Sequence, residues 1–90
     1  MKYIKLTYET EIWQIPLRFV ADHRARYYEN KDSDSTYKAE YDFVMEDSYE
    51  GLDWLLNNME LEEFENQLII TKIQNDLDWV NPISSEIKEI

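Results

Sequence analysis

Apolar and polar residues alternate from the start of the chain: Ile4, Leu6 and Tyr8 hold every second position, followed by Ile12 and, less cleanly, Ile15. A period of two puts such side chains on one face of an extended backbone, and Tyr, Ile, Thr and Trp suit a pleated surface. KYIKLTYETEIWQI therefore predicts one long strand or a strand pair. At Pro16 the period changes. Pro16 suits the first turn of a helix, no breaker follows as far as Asn30, and Leu17, Val20, Ala21, Tyr27 and Tyr28 share one side of a helical wheel. Arg18, Asp22 and Arg26 form an i,i+4 ladder on the other side. The pattern predicts an amphipathic helix over 16–30.

TYKAEYDFVMED fits both periods, with Tyr37, Ala39, Tyr41, Phe43 and Met45 alternating while Tyr37, Tyr41, Val44, Met45 and Ser48 recur helically. Helix over roughly 35–46 is favoured, because Asp34 or Ser35 offers an N-cap and the polar positions suit a helix better. Asp47 with Glu50 three residues on resembles a capping box and opens a helix over 48–58 with the stripe Leu52, Leu55, Leu56, Met59. ELEEFENQ adds a turn or two with Leu61 and Phe64 inward. LIITKI, residues 68–73, reads as the clearest strand, Asn75-Asp76 as a turn, and LDWV as a short pairing segment. ISSEIKEI predicts a last short helix aligning Ile83, Ile87 and Ile90. The expected fold class is α+β: a two- or three-stranded sheet from the N-terminal segment and 68–73, packed on three or so helices. Trp13, Val20, Tyr27, Leu52, Leu55, Leu56, Phe64 and Ile70 should form most of its core.

Ninety residues suit one small domain, and 43% hydrophobic residues are too many for a disordered chain. One Gly and two Pro argue against a turn-rich β-sandwich. The absence of Cys excludes disulfides, a thiolate nucleophile and cysteine metal sites. No signal-peptide run or membrane span is visible, so a cytoplasmic location is expected.

Charge changes the picture most. The formal net charge is −11, and it is unevenly placed. Residues 1–31 hold six basic and four acidic side chains, whereas residues 32–65 hold twelve acidic ones against Lys38 alone. Such a field repels nucleic acid and anionic membranes and steers basic partners inward.

Candidate chemistry is sparse. NKDSDST, residues 30–36, offers oxygen ligands at Asn30, Asp32 and Asp34 like the start of a calcium loop, but Ser35 stands where the sharp turn needs Gly and Tyr41 where the last carboxylate belongs. Starting at Asp32 fails at Tyr37 and Phe43. The segment reads as a polar turn between helices. His23 is the only His, so no two-histidine metal site exists, and it reads as packed or hydrogen-bonded. Arg24 falls within the apolar arc, where a guanidinium must snorkel outward or meet a carboxylate, and an internal pair is favoured. An anion-binding cluster of His23, Arg24 and Arg26 is the alternative. The many paired carboxylates read as a solvated acidic face, because catalysis would need them to converge in a cleft.

Three functions suit this chain. The first is a non-enzymatic acidic interaction protein that docks on a basic, nucleic-acid-binding protein, in its sharpest form as a nucleic-acid mimic. Its contact residues would be Asp42, Glu46, Asp47, Glu50, Asp53, Glu60, Glu62, Glu63 and Glu65, nine carboxylates in a stretch without a basic residue. The second is a homo-oligomeric structural protein in which the basic N-terminal segment of one copy meets the acidic segment of another. The third is a small ligand-binding protein or enzyme using Arg24 and His23. IPLRFVADHRARYYEN together with DWLLNNMELEEFE, within about residues 12–65, resembles small acidic proteins encoded by bacteriophages. That resemblance implies an inhibitor of a host defence nuclease or other DNA- or RNA-binding protein, and favours the first reading. It carries over no individual functional residue. No cofactor, metal, membrane or direct nucleic-acid contact is expected.

Overall fold

The computed structural model describes residues 1–31, 36–67 and 78–89. Its elements are strands β1 (Lys2–Thr7) and β2 (Ile12–Pro16), helices α1 (Leu17–Lys31), α2 (Tyr37–Glu46), α3 (Ser48–Asn58) and α4 (Leu61–Phe64), a 3₁₀ turn at Glu65–Gln67, and strand β3 (Ser84–Glu89). The three strands form one antiparallel sheet in the order β2-β1-β3, so the fold is α+β.

The N-terminal alternation resolves into a strand pair. Tyr8 N–H donates to Glu11 O at 2.8 Å, closing a hairpin over Glu9–Thr10 and setting Ile4 opposite Ile15 and Leu6 opposite Trp13. Directly opposed residues share a face. Ile4, Leu6, Trp13 and Ile15 are all buried on the helix side, while Lys5, Thr7 and Gln14 face away. Pro16 ends β2, an edge strand of the described sheet, where its missing N–H is tolerated, and α1 begins at the next residue.

The C-terminal segment corrects an expectation: residues 84–89 are a strand, not a helix. The helical spacing of its isoleucines is outweighed by pairing with β1, which sets Ile87 opposite Ile4 and Lys5 opposite Glu86, with Lys5 Nζ 3.7 Å from the carboxylate. Ile83, expected on the buried side of that helix, is 72% exposed. Asp78–Val80 of LDWV lie in a turn, with Asn81 N–H bonded to Asp78 O, rather than in a pairing strand. The expected strand 68–73, the Asn75-Asp76 turn, Ile70 and the Asp34 or Ser35 cap lie outside the described residues.

α1 buries Leu17, Val20, Ala21 and Ala25, an i, i+3, i+4, i+8 stripe whose first three members join Ile4, Leu6, Trp13 and Ile15 in the core. Tyr27 belongs to the rim of that stripe and is 45% exposed, which removes it from the expected core. Trp13, Val20, Leu55 and Phe64 are core residues as expected, and Leu52 and Leu56 pack on the core from its edge. The ambiguous segment is helix α2, capped by Thr36, whose Oγ1 accepts from Ala39 N–H at 3.2 Å. Gly51, the chain's single glycine, is buried in α3. A Cβ there would lie 2.7 Å from a Leu17 methyl and 2.9 Å from one of Val44, so its absence lets α3 press against α1 and α2.

Candidate functional site

The nine candidate carboxylates follow from helix periodicity. α2 turns Val44 inward and leaves Glu46 exposed and Asp42 half-buried; Asp47 lies at the α2–α3 junction. α3 buries Gly51, Trp54 and Leu55, which puts Glu50 and Asp53 in water. Around buried Phe64, residues Glu60, Glu62, Glu63 and Glu65 are all exposed.

They fall into two groups. Asp42 accepts from Lys38 Nζ at 2.6 Å, and Asp53 accepts from the Asn57 amide at 2.9 Å. Glu60 and Glu63 form a reciprocal capping box at the start of α4, with Glu60 N–H on Glu63 Oε1 at 2.8 Å. The box expected at Asp47 and Glu50 is absent: Asp47 is the N-cap of α3 but makes no side-chain cap bond. Glu46, Asp47, Glu50, Glu62 and Glu65 make no side-chain hydrogen bond or ion pair among the described residues. Their charge is directed at solvent.

Glu63 does more than face water. Its Oε2 lies 2.5 Å from His23 Nε2, and Trp54 Nε1–H donates to His23 Nδ1 at 2.9 Å. An indole N–H can only donate, so Nδ1 is the acceptor and the neutral ring carries its proton on Nε2, toward Glu63. One imidazole thereby ties α1, α3 and α4 together. Burial pushes the Glu63 carboxyl upward, but the Glu60 N–H and His23 outweigh it and leave it below the ordinary range.

Arg24 and Arg26 of α1 are similarly engaged. Arg24 Nη1 bonds Glu40 at 2.6 Å, the expected internal pair. Its guanidinium also lies over the rings of Tyr28 at 4.6 Å, Phe43 at 4.8 Å and Trp54 at 5.9 Å. Arg26 Nε donates to both oxygens of Asp22 at 3.0 and 3.1 Å, and the Tyr37 hydroxyl donates to the same carboxylate. That bond, with burial and the Asp22 charge, pushes Tyr37 up to about 12. His23, Arg24 and Arg26 each face a carboxylate of the chain itself. Among the described residues no three His, Asp or Glu side chains are arranged to hold a metal ion, and no helix is long and apolar enough to cross a membrane.

Two features escape sequence reasoning. Arg24 and Tyr28 are i,i+4 neighbours and their contact is legible, but Phe43 and Trp54 arrive from other helices. Glu11 is buried: Trp13 Nε1–H donates to its Oε2 at 2.8 Å, and its Oε1 has no hydrogen-bond partner among the described residues. No protein-family model matches this chain, and no curated protein or solved structure matches it either.

Proposed function

We propose that this chain is a non-enzymatic acidic interaction protein whose α2–α4 carboxylates dock on a basic protein surface, acting as a nucleic-acid mimic that inhibits a DNA- or RNA-binding partner. The observation that carries the reading is the set Glu46, Asp47, Glu50, Glu62 and Glu65, none of which makes a side-chain hydrogen bond or ion pair among the described residues, with only the longer-range charge of Lys38 acting on Glu46. Nine carboxylates between Asp42 and Glu65, with no basic residue among them, offer a concentrated negative charge to a surface built to grip phosphates.

The test is a charge reversal that spares carboxylates with structural duties. E46K, D47K, E50K and E62K together should leave the circular dichroism spectrum intact and abolish salt-sensitive, DNA-competable binding to a basic partner. Unchanged affinity in that variant would refute the reading. Self-association is a second reading with its own support. Ile12 is 49% and Ile83 72% exposed, and both flank Thr7 at one end of the sheet, Ile12 by register and Ile83 through its N–H on Thr7 O. It predicts a solution mass that is a multiple of 11.0 kDa without any other protein.

A further inference from the structure

We infer that the partner's recognition element is an arginine-bearing segment whose guanidinium stacks on the exposed rings of Tyr27 of α1 and Phe43 of α2, the two ends of an aromatic ridge completed by Tyr28 and the buried Trp54 of α3. The inference rests on the reading of this chain as an acidic interaction protein and specifies what that surface recognises. The ridge is continuous: Tyr27 and Tyr28 ring centroids are 5.3 Å apart, and they lie 5.3 and 5.7 Å from Trp54. Phe43 joins through Arg24, which sits between it and Tyr28. Tyr27 and Phe43, at the two ends, are 45% and 44% exposed.

Three observations select the occupant. Aromatic rings and arginine are the residue types that dominate binding hot spots, and a half-exposed ring contributes little to folding. The chain's own Arg24 already lies over Tyr28, Phe43 and Trp54, and Lys31 Nζ lies 5.7 Å from the Tyr27 centroid, so the rings suit cations and a partner's guanidinium has the water-exposed area of Tyr27 and Phe43 to stack on. Charge is complementary as well. Glu46 and Asp47 follow Phe43 by three and four residues, and Glu63 reaches the Trp54 edge through His23. A guanidinium is planar and weakly hydrated, so it stacks on a ring face at less desolvation cost than an ammonium. Carboxylates attract any cation; the ridge distinguishes arginine from lysine.

Two labelled peptides of equal length and charge, one alternating Arg and Gly and the other Lys and Gly, provide the probe. They would be titrated against the wild type, a Tyr27→Ala/Phe43→Ala variant and the E46K/D47K/E50K/E62K variant. The wild type should bind the arginine peptide about tenfold more tightly, with the Trp54 indole N–H signal shifting on binding. The double alanine variant should lose that preference while holding the lysine peptide unchanged, and the charge reversal should weaken both. Equal, salt-sensitive binding of both peptides to the wild type would overturn this inference and leave the acidic-interaction reading standing. No salt-sensitive binding of either peptide would refute that reading, and this inference with it. A solution mass that falls in the double alanine variant would assign the ridge to a second copy of the chain and also overturn the inference.

Discussion

The molecule holds two aromatic clusters of similar composition, one sealed and one open. In the sealed cluster, between the sheet and α4, Trp13 lies 5.0 Å from Tyr8 and 6.5 Å from both Phe64 and Trp79. Its polar tips are bonded within the protein: Trp13 to Glu11, and the Tyr8 hydroxyl to Trp79 O at 2.6 Å. Burial, then the charges of Glu11 and Asp78, push the Tyr8 hydroxyl well above the usual tyrosine range. The open cluster of Tyr27, Tyr28, Trp54 and Phe43 instead interleaves with Arg24 and leaves two rings half in water. The difference teaches that residue type does not decide use. Closed off from water, aromatic area stabilises the fold; left half in water, it contributes less to folding and is where the proposed partner would make contact.

Truncation in the two clusters should break the comparison most visibly. Phe64→Ala removes a fully buried ring and should cost about 3–5 kcal/mol in urea unfolding. Tyr27→Ala should change stability by about 1 kcal/mol or less, as at most surface sites. A similar cost at both positions would abolish the distinction. Gly51→Ala comes next. The gain in helix propensity, about 1 kcal/mol, opposes overpacking against Leu17 and Val44, both fully buried, and the net should be a loss of about 1–2 kcal/mol. Stabilisation would mean that α3 is free to move away from α1.

A smaller effect lies at the join between ridge and rim. The Glu63 carboxyl is depressed in the folded state, so its contribution is present above the ordinary carboxyl range and fades as pH falls through the folded value. Glu63→Gln should therefore lower the urea midpoint at neutral pH, and the gap from wild type should narrow below about pH 4.5 as the wild type loses the charge that the variant never has. A gap independent of pH would show that Glu63 acts through shape alone.

Much of this architecture was legible in the sequence where local chemistry and tertiary packing agree. The α1 stripe, the half-buried Arg24 facing a carboxylate, and the hydrogen-bonded His23 all agree with their places on the helical wheel. The hairpin was only half legible, since Glu9–Thr10 carries no glycine or asparagine to mark a tight turn. β3 is hidden in the sequence because Ile83 and Ile87 have helical spacing, and only the register with Ile4 and Lys5 makes the segment a strand. At the candidate site the acidic run was plain, but the division of labour within it was not. That Glu63 is held by His23 and the Glu60 N–H while Glu62 is unpaired depends on where α1 passes α4. The aromatic ridge was equally hidden, being assembled from three helices.

The central claim, that the unpaired carboxylates form a docking face for a basic partner, is tested most directly by parallel affinity capture from one lysate with the wild type and the E46K/D47K/E50K/E62K variant, each eluted with duplex DNA and then with salt. The account predicts a basic nucleic-acid-binding protein that the wild type retains, DNA releases and the folded variant never binds. A retained set that is identical for the two proteins, or no DNA-released protein with the wild type, would contradict it.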